Sequence, residues 1–153
     1  APDAIAREYD ALLASGANTR GRQMLVSGMR GETEGVLLGI ARLDPEPGVR
    51  VQALLTLTIR GPASEDVVRE LTSLHASGEL AGGIATKSAV LVAENVLLRS
   101  IGGARDAARE FLGSIVRDSA AAPADRFDAY KRLRAWVPAG TFRGVVVDGQ
   151  VLE

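Results

Sequence analysis

Hydrophobic positions fall into helix-length runs along most of this chain. Ile5, Tyr9, Leu12 and Leu13 recur at i, i+4, i+7 and i+8, the spacing of one helix face, and Gly16 and Asn18 mark its end. A second helix is expected from Arg20 to Arg30, stopping at Gly31. Val36, Leu37, Ile40 and Leu43 outline a third, ended by Asp44-Pro45. Beyond Gly61-Pro62, Ser64 is placed as an N-cap, and Glu65 and Asp66 fall in a first turn whose partial positive charge favours acids. Val67, Val68, Leu71 and Leu74 continue at helical spacing. Residues 84 to 101 are apolar on nearly every side, interrupted by Lys87, Glu94, Asn95 and Arg99, which predicts a helix with neighbours all round, ended by Gly102-Gly103. Ala108, Phe111, Leu112 and Ile115 define another amphipathic helix. Pro123 opens the last, with Ala129, Tyr130, Leu133, Trp136 and Val137 on one face opposite Asp128, Lys131 and Arg132, and Pro138 closes it.

Two stretches need a separate decision. In "DPEPGVRVQALLTLTIRG", residues 44 to 61, Val51, Ala53, Leu55, Leu57 and Ile59 alternate as a half-buried strand would, yet the stretch is long enough for a buried helix. The helices fall into pairs with similar ends. "SGMRG" at 27 to 31, "LTIRG" at 57 to 61 and "RSIGG" at 99 to 103 each set a hydrophobic residue shortly before a glycine, at intervals typical of helical repeats. That longer period outweighs the local alternation, so residues 49 to 60 are expected to be a helix buried between neighbours. At the other end, Val145-Val146-Val147, Asp148-Gly149 and Val151-Leu152 predict a hairpin with a type I′ turn. A lone hairpin is marginal in water and must lean on the helices or on further chain. The expected division is a helical domain over 1–138 and a tail over 139–153.

The stretch "LDPEPGVRVQALLTLTIRG" resembles the turn and second helix of a HEAT-like repeat: an Asp-Pro turn, Val-Arg, an Ala three residues after the Arg and a Leu seven after it. "DSAAAPADRFDAYKRL" keeps the same Arg, Ala and Leu spacing behind a longer turn. The resemblance implies an all-α, right-handed α-solenoid of about four helix pairs, with the C-terminal hairpin or extended tail appended. It also implies roles: a turn acid and a helix arginine bonded along the stack, an alanine for close helix approach and a leucine in the core. These fall on Asp44, Arg50, Ala53 and Leu57, and on Asp118, Arg126, Ala129 and Leu133. The pattern is missing over 18 to 30 and 81 to 101. A helical wheel sets Arg126 on the apolar side, where it needs an acidic partner from the preceding repeat or a snorkelling path to solvent.

Composition narrows the function classes. The chain of 153 residues fits one domain, and with 46% hydrophobic but only 4% aromatic residues its core must be built from Leu, Val, Ile and Ala. A net charge of -1 argues against a globally basic nucleic-acid binder. Without cysteine there is no disulfide, thiolate nucleophile or Cys-based zinc site. No apolar run reaches the roughly 18 residues of a membrane span. The first residue is not Met, as in a processed product or an excised fragment, and the compartment stays open between the cytoplasm and a processed secreted or periplasmic setting. The closing Leu152-Glu153 has the look of a cloning scar and is given no part in function.

Catalytic signatures fail one by one. "GGIATKS", residues 82 to 88, ends like a phosphate loop, but Thr86 occupies the glycine position before Lys87, so a helix interior is the better reading. His75, the only histidine, has Glu79 one turn on, a base and orienter in principle, but its place near a helix C-terminus already accounts for it. The carboxylate pairs Glu32/Glu34, Glu65/Asp66 and Asp125/Asp128 lie where helix starts favour acids. "DRFDAYKRLRAW", residues 125 to 136, mixes cations with aromatics as nucleic-acid binders do, but Tyr130 and Trp136 point inward on the wheel. The expectation is therefore a noncatalytic protein-interaction or scaffold module without cofactor or metal, with nucleic-acid binding as the alternative. Its contacts would come from the second helix of each pair, through Gln23, Lys87, Glu94, Arg99, Lys131 and Arg134.

Overall fold

The computed structural model describes residues 2–16, 18–29, 34–60, 65–80 and 83–153. Within them the chain is helical apart from one small hairpin: α1 (Pro2–Ala14), α2 (Thr19–Ser27), α3 (Glu34–Leu43), α4 (Pro47–Arg60), α5 (Glu65–Ala76), α6 (Gly83–Arg99), α7 (Gly102–Arg117), α8 (Pro123–Leu133), a 3-10 turn (Arg134–Trp136), β1 (Val146–Val147) and β2 (Gln150–Val151). The expected stop at Arg30-Gly31 and the Ser64 cap lie outside the described residues.

Local chemistry sets most boundaries. The Asn18 side chain accepts a hydrogen bond from the Gly21 amide at 2.8 Å and so caps α2. Gly21 permits this closeness, since a Cβ there would sit 2.6 Å from Asn18 Oδ1. Pro123 occupies the first turn of α8, where its missing N–H costs nothing, and the residue before it, Ala122, is extended as a pre-proline residue prefers. Gly102-Gly103, expected to end α6, instead opens α7. α6 stops at Arg99, and Gly102, at φ +60, supplies the left-handed turn that starts the next helix. Gly103 lets Glu65 of α5 lie close by, as a Cβ would meet its Oε2 at 3.2 Å.

Residues 49 to 60 are helical. α4 packs against α2, α3, α5 and α6, and Val49, Val51, Ala53, Leu54, Thr56 and Thr58 are all buried. A helix covered on several sides loses its 3.6-residue polarity, which is why its sequence also alternates like a strand.

Contacts between helices follow two tracks. α2 touches α4, α4 touches α6 and α6 touches α8, while α3 touches α5 and α5 touches α7. Within successive pairs α1 lies on α2, α3 on α4, α5 on α6 and α7 on α8, and α6 also packs along α7. The core between them is mostly aliphatic: Met29, Leu37, Leu54, Leu71, Leu74, Leu97, Leu112, Ile115 and Leu133 are fully buried.

The tail closes on this core. Asp148 and Gly149 both have positive φ, 51 and 76, which is the type I′ turn expected, and Val146 pairs with Val151 and Val147 with Gln150. Phe142, Val147 and Leu152 are buried. The Phe142 ring lies under the Arg117 guanidinium at 4.7 Å and forms a T-shaped pair with Tyr130, centroids 5.8 Å apart. Leu152-Glu153 is part of the fold: the Leu152 amide donates to the Val145 carbonyl at 2.8 Å, and Glu153 Oε2 accepts from the Phe142 amide at 3.3 Å.

Candidate functional site

The fourth residue of α2, α4, α6 and α8 is polar and turned inward in every case: Arg22, Arg50, Thr86 and Arg126. Arg22 Nε donates to Asp44 Oδ2 at 3.0 Å and its Nη2 to Oδ1 at 3.3 Å, in a pair with 3% and 0% side-chain exposure. Asp44 also accepts from the Tyr9 hydroxyl at 2.5 Å and from the Glu46 amide at 2.9 Å, so this carboxylate in the α3–α4 turn gathers four donors from three segments. Burial, reinforced by the hydrogen bond and charge of Asp44, raises the Tyr9 hydroxyl pKa above its ordinary value.

Arg50 repeats the motif one pair on. Its Nε donates to the Ala41 carbonyl of α3 at 2.8 Å, and its Nη1 meets Glu79 Oε2, in the α5–α6 turn, at 2.9 Å. Glu79 also takes the Ser77 hydroxyl at 2.9 Å, which places it with Arg50 and not with His75. Thr86 bonds the Leu80 carbonyl. Arg126 is buried and donates from Nε to the Val116 carbonyl of α7 at 2.8 Å, and it makes no ion pair with an acid among the described residues. Asp118 was expected to bond an arginine. Instead its Oδ1 caps the Ala120 amide at 2.9 Å and its Oδ2 lies 3.4 Å from His75 Nε2. Ala53, Ala129 and Leu133 are fully buried, whereas Leu57 is only partly so and its neighbour Leu54 takes the inner position.

The six expected contact residues divide. Lys87, Lys131 and Arg134 are exposed and make no ion pair among the described residues. Arg99 turns inward at its head, donating from Nη1 to the Thr58 and Ile59 carbonyls at 2.9 and 3.0 Å, where it satisfies the C-terminal end of α4. Glu94 meets Arg132 Nη1 at 2.7 Å, tying α6 to α8, and Arg132 also holds Asp128 at 2.9 Å. The hydrogen bond to Asp128 raises the Arg132 pKa. Gln23 is half-buried, and its Nε2 lies against Gly48, where a Cβ would meet it at 2.7 Å. Sequence reasoning passed over the apolar side chains between these polar ones. Met24 on α2, Ile59 on α4 and Leu91 and Leu98 on α6 are exposed, and 87, 91 and 98 fall on one stripe of α6.

The aromatic side chains of 125 to 136 are engaged internally: Arg105 lies 4.9 Å over the Trp136 ring and Tyr130 abuts Phe142. His75 and Phe111 meet in a T-shaped pair with ring centroids 6.1 Å apart. Among the described residues no group of three or more His, Asp or Glu is arranged to hold a metal, and the Glu32/Glu34 pair lies outside what the structure describes. No helix of the described residues is long and apolar enough to cross a membrane. No family model, curated protein or solved structure matches the chain.

Proposed function

We propose that the chain is a noncatalytic protein-interaction module built of HEAT-like helix pairs, with α2, α4, α6 and α8 turning their outer face to a partner protein. The observation that carries the reading is the exposure of Met24 on α2, Ile59 on α4 and Leu91 and Leu98 on α6, together with Lys87, Lys131 and Arg134, exposed cations that make no ion pair among the described residues. Exposed apolar side chains rimmed by charge are the composition of a recognition surface. Arg132 offsets one of the two negative charges of Glu94 and Asp128, and the three cations Lys87, Lys131 and Arg134 outweigh the other, so these side chains sum to a positive charge that suits a partner whose apolar anchors are flanked by carboxylates.

The HEAT-like reading draws support from the recurring fourth-residue position. Arg22 with Asp44 and Arg50 with Glu79 each join a second helix to the turn of the following pair, as the resemblance implies for turn acid and helix arginine. The test is site-specific photo-cross-linking in the native cell from positions 91 and 98, with positions 69 and 109 as controls on α5 and α7. A discrete protein adduct from 91 and 98 alone, lost when Leu98 or Leu91 is changed to Asp, is the expected result. Adducts to nucleic acid, or the same adducts from all four positions, would count against the reading.

A further inference from the structure

Where α5 and the α5–α6 turn meet the α7–α8 turn, a cleft of about 300 Å³ opens among His75, Leu80, Thr86, Ile115, Asp118 and Asp125. This is the third of the junctions between successive pairs. At the first two, an arginine at the fourth position of the second helix reaches the acid of the next turn, Arg22 to Asp44 and Arg50 to Glu79. At the third the fourth residue is Thr86, too short to cross, with its hydroxyl turned back onto the Leu80 carbonyl. Among the described residues Asp118, the acid of that next turn, has the Ala120 amide at 2.9 Å and an imidazole at 3.4 Å and no arginine. The turn keeps its acid and lacks the arginine.

A second feature is independent of this comparison. Asp125 lines the same cleft, is 4% exposed, and among the described residues its carboxylate has neither a hydrogen bond nor an ion pair. No side-chain oxygen or nitrogen shut off from solvent lacks a hydrogen-bond partner among the described residues, so this carboxylate meets the open space of the cleft with its acceptors unused. The neighbouring Arg126 commits its Nε to the Val116 carbonyl. The cleft thus combines two acids with the aliphatic walls of Leu80 and Ile115.

The geometry points to a guanidinium-binding site: the cleft takes an arginine side chain supplied by a partner protein, with the planar fork at Asp118 and Asp125 and the stem along Leu80 and Ile115. A guanidinium suits two carboxylates better than an ammonium does, because its donors spread in one plane and it is more weakly hydrated. The cleft shares no residue with the exposed apolar side chains of α2, α4 and α6, so it stands independently of the interaction surface proposed above.

The experiment is a titration of the intact chain with butylguanidinium, followed by amide chemical shifts in two-dimensional NMR. N-butylurea serves as a neutral ligand of the same shape. Saturable shifts centred on residues 75, 86, 118 and 125 are expected, with an affinity of about millimolar and at least a tenfold preference over butylurea. Asp125→Asn should weaken binding about tenfold. Thr86→Arg should fill the cleft from within, abolish binding and raise Tm, and adding Asp118→Asn should remove that gain. A capped Gly-Arg-Gly peptide separates the sources: binding of the peptide assigns the site to a protein arginine, whereas binding of butylguanidinium alone assigns it to a free small guanidine and overturns the partner assignment. No saturable shift in the unmodified protein, or equal binding of butylurea, overturns the site itself.

Discussion

Arg22 and Asp44 form a bidentate ion pair with almost no solvent exposure, and Tyr9 closes it from α1 at 2.5 Å. Removing one charge from such a pair leaves the other buried without compensation, which typically costs about 3–5 kcal/mol. Asp44→Leu and Arg22→Met are each expected to lose stability of that order in urea unfolding. The double variant Arg22→Met/Asp44→Leu should lose much less than the sum, because apolar pairs of similar volume replace buried ion pairs at little cost. Additive losses would mean that the two side chains act separately.

Tyr9 makes the same network sensitive to alkali. Its hydroxyl pKa is raised above the ordinary 10.0, chiefly by burial and then by Asp44. The folded state therefore holds this proton more tightly than the unfolded state does. The stabilisation is complete below pH 10.0 and declines as pH climbs from there toward the folded-state pKa, because the unfolded chain loses the proton first. Unfolding free energy measured against pH should fall more steeply above this point in the natural chain than in Tyr9→Phe. Parallel curves would remove Tyr9 from the titration.

This network also marks the limit of what the sequence discloses. The helices themselves were legible, because α1, α5, α7 and α8 each keep one apolar face, and Pro123 and the Asp148-Gly149 turn carry their own backbone requirements. Arg22 was passed over because the turn before it lacks an Asp-Pro signature and its acid lies 22 residues further on, a pairing only packing creates. Counting from each helix start would have aligned it with Arg50 and Arg126. In the sequence Gly102 reads as a stop because glycine commonly follows a helix end. Its role at the start of α7 depends on the left-handed turn there and on the neighbouring Gly103 leaving room for Glu65, two facts set by three-dimensional approach. Arg99 and Glu94 looked like free surface charges on α6, and their occupation follows from the proximity of α4 and α8.

The C-terminal tail offers a sharper test of domain organisation. Phe142 is fully buried among Arg117, Tyr130 and the backbone of Gly113, where a Cβ would lie 3.9 Å from its ring. Emptying such a site costs about 3–5 kcal/mol for Phe→Ala. Phe142→Ala should therefore destabilise the whole cooperative unfolding transition, read by far-UV circular dichroism, and not merely release residues 139–153. An unchanged helical transition would make the tail a separate appendage.

Leu91 and Leu98 should behave in the opposite way. They are 38% and 55% exposed on the outward stripe of α6, while Val90, Val92, Ala93, Val96 and Leu97 bury the rest of that helix. Exchanging such exposed side chains for polar ones removes little buried area, and surface substitutions of this kind usually stay within about 0.5 kcal/mol. Leu91→Gln and Leu98→Gln, alone and together, are expected to leave the urea midpoint nearly unchanged and the helix content intact. That stability neutrality makes them usable as probes of recognition, since any loss of partner binding could not then be assigned to unfolding. If either variant instead cost several kcal/mol, the side chain would belong to a packed interior, and the outward face of α6 would have no apolar row to offer.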